Sequence, residues 1–360
     1  MLKTSRVYSA DPLLMLNAWS SHALCVFSAS LYVFSLYLLP ERVRKLPRDN
    51  VEHVKWRMST STLSSLLTLG LLAYYYESVR HNSHLHHTSL MEALGLQLNL
   101  QALRAAWTTI LLMGVFYAGP MLTRLVTLLM MRFYHIDGSG RISPLPPKAM
   151  AKATYSHIVW SFLSSQIMTL ESRRWLSVRD HLFAPVSEEF VFRSIIVVWM
   201  LAKYQMGSGI GDMSTSKVAW EVSRMCPLWF ALAHVHHAWA KVSEGLPWKR
   251  VLLSTLVQCL YTSIFGYIAV ILLLRTGTIL APIASHIVCN LNGLPNTGFL
   301  YRPEQCHGAT EFSSLYKYRL PIMFAYFGGL ILFAILILPM TEEYSRTSAL
   351  WFGRAHPIMQ

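Results

Sequence analysis

The stretch Arg179-Asp-His-Leu-Phe-Ala-Pro-Val-Ser-Glu188-Glu189-Phe-Val-Phe-Arg193, continued by Ser-Ile-Ile-Val-Val-Trp-Met200, sets two adjacent carboxylates and an arginine in a run apolar enough to enter a bilayer. A charge at membrane depth costs about 2.5–3.5 kcal/mol on insertion scales, so such groups usually face the protein interior and serve a purpose. The run reads as a helix from about His181 to Tyr204. On it Glu189 and Arg193 are i,i+4 neighbours and can pair, whereas Glu188 lies about 100° around the axis and suits other work. One glutamate is thus suited to structure and the other to chemistry.

The rest of the chain has the same apolar character. Of 360 residues, 53% are hydrophobic and 14% charged, with a mean hydropathy of +0.37. Soluble domains carry about 25% charged residues. Several windows approach the roughly 20 apolar residues that a bilayer span requires. The fold expected is all-α: a polytopic integral membrane protein of about eight transmembrane helices enclosing an intramembrane cavity. A net charge of +13 would suit nucleic acid, but the basic residues are spread over the ends and loops of apolar segments. That distribution fits positive-inside flanks and anionic lipid head groups, and nucleic acid is set aside as a partner. The five cysteines, Cys25, Cys226, Cys259, Cys289 and Cys306, are odd in number and lack a CxxC spacing, so neither a disulfide framework nor a zinc site is suggested.

Taken in order, the first span is expected at Asn17 to Leu39, retained and not removed as a signal peptide. A basic loop at residues 41–57 is assigned to the cytosol, and a second span follows at Ser59 to Tyr76. His81, His84, His86 and His87 lack a one-face helical spacing and read as an interfacial loop. A third span, Trp107 to Met131, should kink at Gly119-Pro120. Residues 135–148 form the clearest loop. Further helices are expected at Thr154 to Leu170, Val218 to Ala240, Val251 to Leu274, Thr278 to Leu294 and Leu320 to Met340. The organisation is then accessory helices in 1–150, a core in 151–310, and a last helix with its tail in 311–360.

Three apolar segments each carry a small polar set: Glu188 and Glu189 with Arg193, then His234 with His236 and His237, then His286 with Asn290. His286 and Asn290 are i,i+4 and project from one face, and His234 and His237 share a face at i,i+3. Any one set could be a buried polar group satisfied locally; three together point to a shared cluster, since each needs a partner in the membrane. A glutamate in a low-dielectric site can take a proton from water near neutral pH. A neighbouring histidine can hold that water. A second histidine with an asparagine amide supplies two donors for a developing oxyanion. These parts make a peptide hydrolase that needs no nucleophilic serine or cysteine.

At these residues the chain resembles the CAAX prenyl endopeptidases of the Ras-converting type (type II), within the wider family of CAAX proteases and bacteriocin-processing enzymes. The matching text is Ala-Pro-Val-Ser-Glu188-Glu189-Phe-Val-Phe-Arg193, Phe230-Ala-Leu-Ala-His234-Val-His-His, Gln258-Cys-Leu-Tyr-Thr-Ser-Ile-Phe-Gly266, and Arg275 through Ser-His286-Ile-Val-Cys-Asn290, in family order. The resemblance implies a multi-pass enzyme of the endoplasmic reticulum membrane. It would remove the last three residues of farnesylated or geranylgeranylated CAAX proteins, Ras-type small GTPases among them, with no cofactor. On the family pattern Glu188 activates water, His234 assists, His286 and Asn290 form the oxyanion hole, and Glu189 pairs with Arg193. His237 matches as well, as support or as substrate contact. Other readings are a zinc metalloprotease, for which no H-E-x-x-H is present, a thiol protease using Cys289 near His286, and a transporter or scaffold without proteolysis.

Overall fold

The computed structural model describes residues 16–82, 89–136, 142–144, 174–205, 215–295, 297–301 and 313–345. Helix dominates, as a chain rich in apolar windows requires: without water, backbone donors and acceptors must be satisfied within each segment. Helix α1 (Ala18–Ser35) begins where the Asn17 side chain accepts the Ser20 N–H at 2.8 Å. Helix α2 (Val51–Asn82) runs for 32 residues. It starts eight residues before the expected span and is rich in serine and threonine. Their hydroxyls bond back along the helix, Ser61 to the Arg57 carbonyl, Ser65 to that of Ser61 and Thr68 to that of Ser64, each at 2.8 Å. Hydroxyls so satisfied can be buried at little cost.

Helices α3 (Leu100–Phe116) and α4 (Ala118–Phe133) are bent by 66° at Tyr117. The bend was expected at Gly119-Pro120; it falls just before, leaving Pro120 in the first turn of α4, where its missing N–H costs nothing. The expected loop at 135–148 contains part of a small antiparallel hairpin, β1 (Tyr134–Ile136) with β2 (Ile142–Pro144), in the register Ile136↔Ile142. The motif stretch is helical over residues 174–205, here called α5. It is not uniform: π turns occupy Arg179–Phe183 and Phe190–Ile195. Such wide turns recur at functional sites.

Helix α6 (Thr215–Ala233) contains Pro227, and α7 (His236–Ser243) follows it. Helix α8 (Trp248–Thr276) ends on Gly277, whose φ of 67° is the left-handed cap that glycine favours. Helices α9 (Leu280–Asn292) and α10 (Arg319–Met340) lie close to their expected positions. Among the described residues, two helical segments are long and apolar enough to cross a membrane, Trp248–Thr276 and Leu315–Ser345, or three if the bent pair is one span. The expected helix at Thr154 to Leu170 and the histidines His84, His86 and His87 lie outside the described residues.

The chain divides into two compact units, each built from separated segments. Unit 1 comprises 1–107, 183–284 and 341–360. Its core places Val191, Phe192, Ile195, Ile196, Trp199 and Met200 of α5 among Leu72, Val222, Phe230 and Val270. Unit 2 comprises 108–182 and 285–340. There α10 approaches α3 and α4 closely at two glycines. A Cβ on Gly119 would meet the Tyr326 ring at 2.3 Å, and one on Gly329 would meet the Val115 carbonyl oxygen at 2.5 Å.

Candidate active site

In unit 1 the construction begins with Glu189 and Arg193, both buried, at 0% and 1% exposure. Oε2 of Glu189 stands 3.0 Å from Nε of Arg193. The contact is Coulombic: among the described residues none of the three guanidinium nitrogens makes an aligned hydrogen bond. The planar face of the guanidinium is used instead. Its carbon lies 4.0 Å from the centre of the Phe230 ring and 5.4 Å from that of Phe265. A desolvated cation over an aromatic face is worth about 2 kcal/mol. The arginine therefore joins α5 to α6 and α8 as well as neutralising Glu189.

Gly266 makes that junction possible. A Cβ there would lie 3.0 Å from Cβ of Pro227 and 3.6 Å from Nη2 of Arg193. Helices α6 and α8 thus cross at a point where a larger side chain would be tight, which is a packing reason for the glycine that ends the third quoted motif.

Phe230 continues the connection to the histidines. Its ring meets that of His234 edge-on at 4.5 Å and that of Phe192 at 5.1 Å. Here the fold departs from the expected helix Val218 to Ala240. Helix α6 stops at Ala233, and His234-Val235 form a turn with bonds to carbonyls three residues back, His234 N–H to Ala231 and His237 N–H to His234. The histidines themselves account for the break. Nδ1 of His234 bonds the Phe230 carbonyl at 2.8 Å, and Nδ1 of His236 bonds the Ala233 carbonyl. Imidazole N–H groups thus take carbonyls that the end of a helix leaves without backbone partners. For His234 the consequence is chemical. A carbonyl accepts only, so Nδ1 carries a proton, and in the neutral ring this tautomer leaves the lone pair on Nε2.

His237 lies 5.8 Å from His234, ring centre to ring centre, and 4.0 Å from His236. His236, which a regular helix would set off the face shared by His234 and His237, therefore belongs to the same cluster, and Tyr37 packs edge-on against it at 5.8 Å. Glu188 is half-buried, and Ser187 just before it is hydrogen-bonded to the Tyr32 hydroxyl at 2.8 Å. Neither Tyr32 nor Phe265 was singled out from the sequence. In the fold Tyr32 lies on a buried seam of α1 with Ser21, Cys25, Ser28 and Ser35, spaced every three or four residues.

In unit 2, α9 carries His286 and Asn290 one turn apart, the first buried and the second exposed. Nδ2 of Asn290 donates to the Asp180 carbonyl at 2.7 Å. An amide nitrogen has two protons, so one remains to donate elsewhere. The end of α9 is held by Arg124, whose Nη2 donates to the Leu291 carbonyl at 3.2 Å. Among the described residues no three His, Cys, Asp or Glu side chains gather as ligands of one ion.

Unit 1 thus holds a buried carboxylate–arginine pair, a carboxylate beside it and a histidine whose Nδ1 is bonded to a carbonyl, and unit 2 holds His286 and Asn290 one turn apart. Residues 171–292 match the family described as Type II CAAX prenyl endopeptidase Rce1-like. The chain is 27% identical over 334 residues to CAAX prenyl protease 2 of Homo sapiens, covering 91% of this chain and 83% of that protein. It is 27% identical over 292 residues to the protein of that name from Saccharomyces cerevisiae, covering 75% and 80%. To the Arabidopsis thaliana protein it is 30% identical over 236 residues, covering 65% and 62%. No solved structure matches the chain. Over these spans the chain is similar to the type II CAAX prenyl endopeptidases.

Proposed function

We propose that this chain is an intramembrane endopeptidase that removes the C-terminal tripeptide from prenylated CAAX proteins, cutting after the lipidated cysteine. One observation carries the reading: the family match spans 171–292, the segment that holds Glu188, His234, His286 and Asn290. The name CAAX prenyl protease 2, shared by relatives from human, yeast and plant, supports it.

In the proposed mechanism Glu188 takes a proton from water as the hydroxide attacks the scissile carbonyl. His234 holds that water through Nε2, its Nδ1 proton being committed to the Phe230 carbonyl. His286 and the second Nδ2 proton of Asn290 donate to the oxyanion, which strengthens as charge develops in the transition state. Collapse of the tetrahedral intermediate breaks the C–N bond, and the proton held by Glu188 passes to the leaving amine. Glu189 and Arg193 neutralise each other and hold the helix that presents Glu188, while His237 supports His234.

The prenyl chain would enter from the lipid and the peptide tail from the cytosol. The protein is proposed as a multi-pass resident of the endoplasmic reticulum membrane, of about eight spans around an internal cavity. Its core would lie in 151–310, with accessory helices in 1–150 and a last helix and tail in 311–360.

The test incubates purified protein with a farnesylated CAAX peptide and its unprenylated counterpart, with and without a chelator. Tripeptide release from the prenylated peptide alone is expected, surviving chelation, and lost in Glu188→Ala and His234→Ala variants that still fold. Full activity in either variant overturns the mechanism. Activity abolished by the chelator and restored by zinc would favour a metalloprotease.

A further inference from the structure

Helix α1 lies in the part of the chain that sequence reading treats as accessory, yet its buried seam runs along α5. The Ser21 hydroxyl donates to the Trp199 carbonyl at 2.6 Å, Cys25 contacts the Ile196 carbonyl at 3.8 Å, and Tyr32 reaches Ser187 at 2.8 Å. The first two contacts dock one helix on the other. The third differs in place and in chemistry, because Ser187 immediately precedes Glu188.

We propose that Tyr32 is a positioning residue for Glu188, acting through a chain of hydrogen bonds from its hydroxyl to Ser187 and on to the Ala184 carbonyl. The inference rests on the reading of Glu188 as the base. The Ser187 hydroxyl donates to the Ala184 carbonyl at 3.3 Å, so its proton is committed and it accepts from Tyr32. Both ends of the chain are then fixed. The phenol ring is buried and meets Phe192 edge-on at 5.8 Å, which sets the direction of its C–O bond. Ser187 is therefore held from one side by α1 and from the other by its own helix, in the turn between the two π segments of α5. The bond to Tyr32 ties that turn to a second helix. Phenylalanine at position 32 would keep the ring packing, so the hydroxyl serves the contact with Ser187 and not the core.

The test measures steady-state cleavage of a farnesylated CAAX peptide by the full-length protein carrying Tyr32→Phe, Ser187→Ala, both together, Ser187→Thr, Ser21→Ala, or Glu188→Gln. Misplacing a catalytic group slightly costs one to two orders of magnitude. Tyr32→Phe and Ser187→Ala should each lower kcat about tenfold with KM within about twofold. The double variant should be no worse than either single one, and Ser187→Thr, which keeps the hydroxyl, should retain activity. Ser21→Ala removes an equally buried bond between the same two helices and should leave kcat unchanged. Wild-type kcat in Tyr32→Phe beside an inactive Glu188→Gln overturns the positioning role alone; an equal loss in Ser21→Ala reduces it to helix docking. An active Glu188→Gln overturns the base reading itself. Should Tyr32→Phe fail to fold, the serine pair, Ala against Thr, decides the matter.

Discussion

The guanidinium carbon of Arg193 stands 4.0 Å above the ring of Phe230, and this contact ties the glutamate-bearing helix to the histidine-bearing one. The same ring touches His234 at 4.5 Å, so an unbroken series of side chains runs from Glu189 through Arg193 and Phe230 to His234. The distance between the motifs is then governed by a cation and an aromatic face.

Removing one member of the buried pair leaves the other charge without its partner, which costs about 3–5 kcal/mol, whereas replacing both by apolar side chains of similar volume is close to neutral. Glu189→Leu should therefore lower the midpoint of thermal unfolding in detergent far more than Glu189→Leu with Arg193→Met. Equal destabilisation of the two would mean that the pair is not a coupled unit.

Phe230→Leu keeps apolar volume but removes the aromatic face, and a loss of about 2 kcal/mol is expected. Phe265→Leu should cost less, because that ring lies 5.4 Å from the arginine. The order of the two effects, read from unfolding in detergent, checks which ring carries the cation.

Gly266→Ala sets a methyl group against Pro227 and forces α6 and α8 apart. Overpacking of this kind costs about 1–3 kcal/mol. As the shift acts where Arg193 lies, tripeptide release should fall as well. A variant as stable and active as the parent would show that the crossing has slack.

Asn290→Asp exchanges two amide protons for a carboxylate facing the Asp180 carbonyl. If Asn290 serves the oxyanion, kcat should fall by about 10²- to 10³-fold with little change in KM. Asp180→Ala should be mild by comparison, since the contact is made by the backbone. A KM effect alone would assign Asn290 to substrate binding.

Much of this arrangement is local and was legible. The spacing of Glu189 and Arg193 is one helical turn, and it holds where the helix widens into a π turn. The Gly119-Pro120 pair marked the bend between α3 and α4 to within three residues. Other features were not legible. No glycine or proline announces the break at His234, because the cause is imidazole groups bonding carbonyls of the preceding turn. Tyr32 was passed over because an isolated phenol on an apolar helix has no meaning until Ser187, 155 residues away, is brought against it.

The sequence by itself determined the apolar helical segments, the glutamate–arginine pair and the ordered motifs that carry the family resemblance. Their periodicity and spacing follow from backbone geometry, which any chain obeys over a few residues. Only the tertiary structure decided which ring receives Arg193, why position 266 holds glycine, and what α1 contributes beside Glu188. Those outcomes depend on side chains from distant segments filling one space, and close packing selects among arrangements that the sequence pattern leaves equivalent.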